Sequence, residues 1–159
     1  MKSALALAIA LVVALGFAAV PVQAASWNSG SSDTTDEKDS KYGEAKKLVD
    51  AGDFTAAVPL LEEVVAANPK NADAYNYLGY SQRKSGNQAA ALVNYQKALA
   101  LQPEHRGANE YLGELYLEMG QPDKAKERLK VLDGACFFGC DEHRELKEAI
   151  NAYMAKAGG

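Results

Sequence analysis

Tyr75-Asn76-Tyr77-Leu78-Gly79, followed by Gly86, Ala91, Tyr95, Ala98 and Pro103, is the stretch on which the fold turns. Its columns recur at one interval. Gly52, Gly86 and Gly120 are thirty-four residues apart, as are Ala57, Ala91 and Ala125. Leu61, Tyr95 and Leu129 keep that spacing, as do Ala45, Gly79 and Gly113, and Pro69 pairs with Pro103. Several columns in register at this period mark a solenoid of helix–turn–helix units.

Each column has a physical task. The glycines at 52, 86 and 120 permit the left-handed backbone that ends a helix. Asp53 and Asn87 follow them as helix caps, and Pro122 suits a first helical turn. Ala45, Gly79 and Gly113 on first helices, with Ala57, Ala91 and Ala125 on second helices, allow close antiparallel approach. Leu48, Leu78, Leu112, Tyr95 and Leu129 fill the space around them. Pro69 and Pro103 close units because proline cannot continue a helix. The pattern predicts helices near 40–51, 54–67, 71–85, 88–101, 105–119 and 122–133. A seventh is expected over about 142–156, with Asp141 as its cap. Its residues Leu146, Ala149, Ile150 and Tyr153 share one face, which would cover the raw end of the last unit.

These columns resemble the tetratricopeptide repeat, whose pattern expects an aromatic, Leu-Gly, Ala, an aromatic, Ala and Pro at such spacings. The middle unit matches at every one of them. The third keeps Leu112-Gly113, Tyr116 and Ala125, and the first keeps Ala45, Ala57 and Pro69. The resemblance implies an all-α, right-handed α-solenoid within residues 41–156, of three units at about 38–71, 72–105 and 106–135 plus a capping helix. In that family, first helices line a concave groove that holds extended or helical peptides. By repeat position the lining here would be Tyr42, Lys46 and Val49, then Asn76, Tyr77, Tyr80 and Arg83, then Glu110, Tyr111, Glu114 and Leu117. Tyrosine suits such a surface, offering contact area and a hydroxyl with little rotamer entropy to lose. The same rings could instead wedge between neighbouring units as packing. Lys46 and Arg83 at one end, with Glu110, Glu114 and Glu118 at the other, would either orient a peptide or form a solvated mixture of charges. The family's carboxylate-gripping Lys, Asn and Arg set is incomplete: Lys46 is present, but Tyr77 and Tyr111 occupy the other slots.

Upstream of the repeats, Lys2 precedes an uncharged apolar run from Ala4 to Val20. Pro21 and the small residues of Val22-Gln23-Ala24 follow. That is the layout of a cleavable secretory signal over residues 1–24, so a periplasmic or secreted location is expected. Residues 25–40 read as a flexible polar linker, with Trp27 its one large apolar group. Loss of Lys2 leaves 16 basic residues against 21 acidic ones, a balance that excludes nucleic acid as the expected partner. No membrane-spanning segment is expected once the signal is removed. No hydrolase, metalloprotease or phosphate-loop motif occurs, so neither an enzyme nor a cofactor is expected.

Cys136 and Cys140 are the only cysteines. An even count in an exported chain points to a disulfide, and so short a ring stabilises by roughly 2 kcal/mol. The alternative is a thiol-redox or Cu(I) site that adds His143. Three functions therefore stand open: a scaffold or adaptor binding a protein or peptide segment, a thiol or copper module, and a self-assembling structural protein. Oligomeric state is not legible from the sequence. Thiol labelling of folded, unreduced protein should find no free cysteine. Two labelled thiols would contradict the disulfide, and metal lost in Cys136→Ser would favour the second function.

Overall fold

The computed structural model describes the backbone of residues 33–158 and side chains from residue 40. The expected signal segment and Trp27 lie outside the described residues. Seven helices follow one another: α1 (Asp33–Asp50), α2 (Phe54–Ala67), α3 (Ala72–Lys84), α4 (Gln88–Leu101), α5 (Arg106–Glu118), α6 (Pro122–Ala135) and α7 (Asp141–Ala157). None of them is long and apolar enough to cross a membrane. α1 with α2, α3 with α4 and α5 with α6 form antiparallel pairs, and each pair packs on the next. α7 packs on both α5 and α6. α1 begins at Asp33, inside the stretch read as linker. All eight residues from Asp33 to Ser40 are polar or charged, without a Gly or Pro to stop the helix, and Thr34-Thr35 is the remaining weak point.

The turns are built as their residues require. Gly52, Gly86 and Gly120 adopt φ of 78°, 84° and 71°, so each first helix ends in the same left-handed turn. The side chains of Asp53, Asn71 and Asn87 then accept from Ala56, Ala74 and Ala90 N–H at 3.1, 2.9 and 3.2 Å. His105 caps α5 through Nδ1, accepting from Ala108 N–H at 3.2 Å. Gln121 makes no side-chain cap bond, and Pro122 begins α6 in its place.

Ala45, Ala57 and Leu61 form the core of the first unit with Leu78 of the second. Ala91, Tyr95, Leu112 and Leu115 join the second to the third. Leu117, Ala125, Leu132, Cys136, Leu146 and Ile150 join the third to α7. Gly79 is the tightest junction within a unit. A Cβ there would lie 2.8 Å from Cδ1 of Tyr95 and 3.2 Å from the Ala91 carbonyl oxygen. At Gly113 the space a Cβ would need is taken by Leu146 of α7, whose two methyl carbons would be 2.6 Å away. Leu146 repeats the column of Leu78 and Leu112 at thirty-four residues, so α7 enters where a further first helix would begin.

Gly79→Ala should lower stability by about 1–3 kcal/mol, because a fully buried ring and a backbone oxygen must both give way. Gly43→Ala in α1, where nothing lies within 4 Å, should instead raise it by about 0.5–1 kcal/mol through helix propensity. Denaturant titration of the two variants checks this. Equal effects of the same sign would contradict the packing described.

Candidate partner-binding surface

The first helices stand side by side, α1 against α3 and α3 against α5. Their tyrosines bridge the steps between them. Tyr42 of α1 meets Tyr77 of α3 edge-on, ring centroids 6.0 Å apart. The Lys46 ammonium lies 5.4 Å from the centre of the Tyr77 ring. Tyr80 packs edge-on against Phe54 at 5.5 Å and leans on Tyr111 at 4.6 Å. All four tyrosines remain partly exposed. The two readings of these rings are thus compatible: each wedges between helices and still leaves surface outside. Burial pushes the phenol groups of Tyr42, Tyr80 and Tyr111 above their ordinary value, so they stay neutral hydrogen-bond donors.

The charges are arranged differently from expectation. Arg83 is not a rim cation: its side chain is only 4% exposed. One guanidinium nitrogen donates to Glu114, and the other donates to Glu118 at 2.8 Å. The guanidinium also lies 5.8 and 5.9 Å from the ring centres of Tyr80 and Tyr111. Gln88 Nε2 donates to the second oxygen of Glu118 at 3.1 Å. The cation and the two carboxylates expected at opposite ends of a gradient instead pair across the α3–α5 step, leaving one negative charge there.

Glu110 is likewise inside, 3% exposed. Desolvation, then a hydrogen bond to Glu145 and the nearby Glu114 and Glu142, push its carboxyl up to about 9. It is therefore neutral at ordinary pH. Asn76 is buried where a Cβ on Gly107 would come within 3.1 Å of its Nδ2. Val49 and Leu117 belong to core clusters. Of the side chains expected to line a groove, Tyr42, Lys46, Tyr77, Tyr80, Tyr111 and Glu114 keep exposed surface. Asn76, Arg83 and Glu110 do not.

Cys136 and Cys140 are joined by a disulfide, Cα atoms 5.5 Å apart. Cys140, not Asp141, caps α7: its Sγ accepts from His143 N–H at 3.4 Å. The bridge holds Cys140 extended just before the helix, which puts its sulfur over the free N–H groups. His143 Nε2 pairs with Asp133 Oδ1 at 2.7 Å. With both sulfurs bonded and His143 paired with Asp133, no thiolate is free here for Cu(I), and the bridge is the oxidised form of a dithiol pair. Among the described residues no group of three His, Cys, Asp or Glu side chains is placed to hold a metal.

A cleft of about 420 Å³ lies between α3, α5 and α7. Leu117, Ala149 and Tyr153 contribute apolar lining, and Lys84 and Lys156 contribute cations. Lys84, Tyr153 and Lys156 were absent from the groove read from the sequence. The column of Leu78, Leu112 and Leu146 was the signal that α7 stands beside α5 as a further first helix.

Known proteins agree with this architecture. Tetratricopeptide repeat family models match residues 42–95 and 82–135. Cellulose synthase operon protein C of Escherichia coli is 36% identical over 95 residues, covering 51% of this chain and 8% of that protein. The human PEX5-related protein is 30% identical over 89 residues, covering 56% of this chain and 14% of that protein. The matched stretches are thus a small part of these relatives. The structure of the Yersinia enterocolitica type III secretion chaperone SycD in complex with a peptide of the translocator YopD superposes with a TM-score of 0.66. It is 17% identical and covers 80% of this chain and 97% of that one, a likeness of fold. The chain is a tetratricopeptide repeat protein. It thereby belongs to a class of protein–protein interaction scaffolds.

Two outcomes follow from the buried charges. Arg83→Met should cost roughly 3 kcal/mol of stability, the low end for breaking a buried pair because Glu118 is half in water. Glu110 has a raised carboxyl pKa, so the folded state holds a proton the unfolded state releases near its ordinary value. Stability should then fall as pH rises from about 5 to about 9. Thermal midpoints of Glu110→Gln should follow a flatter pH course and exceed wild type at pH 8. Parallel curves for the two proteins would contradict a protonated Glu110.

Proposed function

We propose that the protein is a non-enzymatic scaffold in the periplasm that binds a peptide or protein segment along the exposed tyrosines of α1, α3 and α5. The observation that carries this is the stripe of two tyrosine pairs, Tyr42 against Tyr77 and Tyr80 against Tyr111, all partly exposed, with Lys46 over Tyr77. A segment laid across it would gain aromatic contact and neutral hydroxyl donors for its backbone carbonyls. The rings are already ordered by their neighbours, so little side-chain entropy is lost on binding. Because Arg83 is engaged by Glu114 and Glu118, Lys46 over Tyr77 and Lys84 over Tyr80 are the cations that would favour an acidic residue in the partner. Export through the N-terminal signal would place the scaffold in an oxidising compartment, where the Cys136–Cys140 bridge persists. That the SycD structure holds a peptide of YopD on a similar fold supports a peptide as the ligand class.

A photo-reactive phenylalanine placed at Tyr77 should capture a partner in living cells, and the same group at Glu127 or Lys130 of α6 should not. Once the partner is known, Tyr77→Ala should weaken binding about five- to thirty-fold, as loss of an aromatic anchor does. Capture from α6 alone would move the site to the second helices.

A further inference from the structure

The tip of the α6–α7 connection has no part in the surface above. Phe137 and Phe138 are 86% and 97% exposed, and their rings meet edge to face at 5.1 Å. The loop that carries them is closed by the Cys136–Cys140 disulfide and turns at Gly139, with φ of 84°. Gly139 N–H donates to the Cys136 carbonyl at 2.8 Å. Cys136 itself sits in the core cluster with Leu132 and Leu146. Two large apolar side chains are thus held in water by a short ring rooted in the core. Scattered exposed hydrophobics are ordinary, but an adjacent pair on a covalently pinned loop loses little freedom when it docks.

The surroundings say what kind of site would receive the pair. Asp133, Asp141 and Glu142 flank it in sequence; Asp141 pairs with Arg144, and Asp133 hydrogen-bonds with His143. Carboxylates beside the rings disfavour an anionic lipid surface and favour an apolar socket with a cationic rim. This chain carries such a socket. The cleft between α3, α5 and α7 has apolar lining from Leu117, Ala149 and Tyr153, with Lys84 and Lys156 beside it. Its own carboxylates, Glu114 and Glu118, are already engaged by Arg83. The loop cannot reach the cleft of its own chain. It precedes α7, whereas Tyr153 and Lys156 lie near that helix's far end, about 20 Å along its axis.

We propose that the Phe137–Phe138 tip of one copy docks in the α3–α5–α7 cleft of a second copy. Donor and acceptor are different surfaces, so the contact is head-to-tail and can continue beyond two copies. The two rings would bury about 300–500 Å². That is below the roughly 800 Å² per partner of a stable complex, so the association is reversible and concentration-dependent. It goes beyond the scaffold reading and does not depend on the tyrosine stripe binding a peptide.

Sedimentation velocity on protein expressed from the complete reading frame, from micromolar to near-millimolar concentration at low salt, tests this. Average mass should rise with concentration in wild type and fall back at high salt. The Phe137→Ser/Phe138→Ser and Lys84→Glu/Lys156→Glu double variants should each remain monomeric. All four side chains are exposed, so both variants should keep the wild-type helical circular dichroism. An equimolar mixture of the two should form a one-to-one complex that grows no further, since one supplies an intact cleft and the other an intact tip. A monomeric wild type, association untouched by either pair of substitutions, or no complex on mixing would each overturn the proposal. None of those results bears on capture from Tyr77.

Discussion

No side chain fits between α3 and α4 at residue 79. Tyr95 and the Ala91 carbonyl occupy the space a methyl group would need, so the helices meet at a distance that only glycine allows. The rest of the solenoid is referred to that contact. With α4 seated against α3, Tyr95 is fully buried and packs with Leu112 and Leu115 of the next unit. The same close approach recurs at Gly113, where Leu146 is the intruding side chain. One small-residue column therefore joins helices within the middle unit and attaches the closing helix to the last one.

The spacing of successive first helices then determines what the exposed face can do chemically. The step from α3 to α5 brings Glu114 and Glu118 to the two guanidinium nitrogens of Arg83 and slots the cation beside Tyr80 and Tyr111. A face that carries five formal charges in sequence is left with few free ones. Arg83 pairs with two carboxylates, which leaves one negative charge on that cluster, and Glu110 holds its proton. What remains is aromatic and hydroxyl-bearing, with cations at Lys46 over Tyr77 and Lys84 over Tyr80. Such a surface favours contact area over charge, and suits an extended segment better than a polyanion.

Most of the fold was legible because a thirty-four-residue period leaves little freedom: the six turn-paired helices, the positive-φ glycines and the Asp53 and Asn87 caps stand where the columns place them. The candidate surface was legible only as a face. Spacing says which side of a helix a residue takes, not how far the neighbouring helix covers it. Arg83 looked like a rim cation because its carboxylate partners lie 31 and 35 residues downstream, a distance that only the stacking of units closes. Glu110 and Asn76 were misjudged for the same reason: α7 covers one, and the α5 start covers the other. The Cys140 cap was missed because sulfur is an uncommon capping atom, and its place depends on the bridge to Cys136.

The central claim is that the tyrosine stripe of the first helices is where a partner segment lies. Peptides selected from a random library against the folded protein, titrated into isotope-labelled protein and followed by amide chemical shifts, test it directly. The account predicts shifts concentrated at Tyr42, Lys46, Tyr77 and Tyr80, with α2, α4 and α6 unmoved. Shifts confined to those second helices, with the stripe silent, would contradict it.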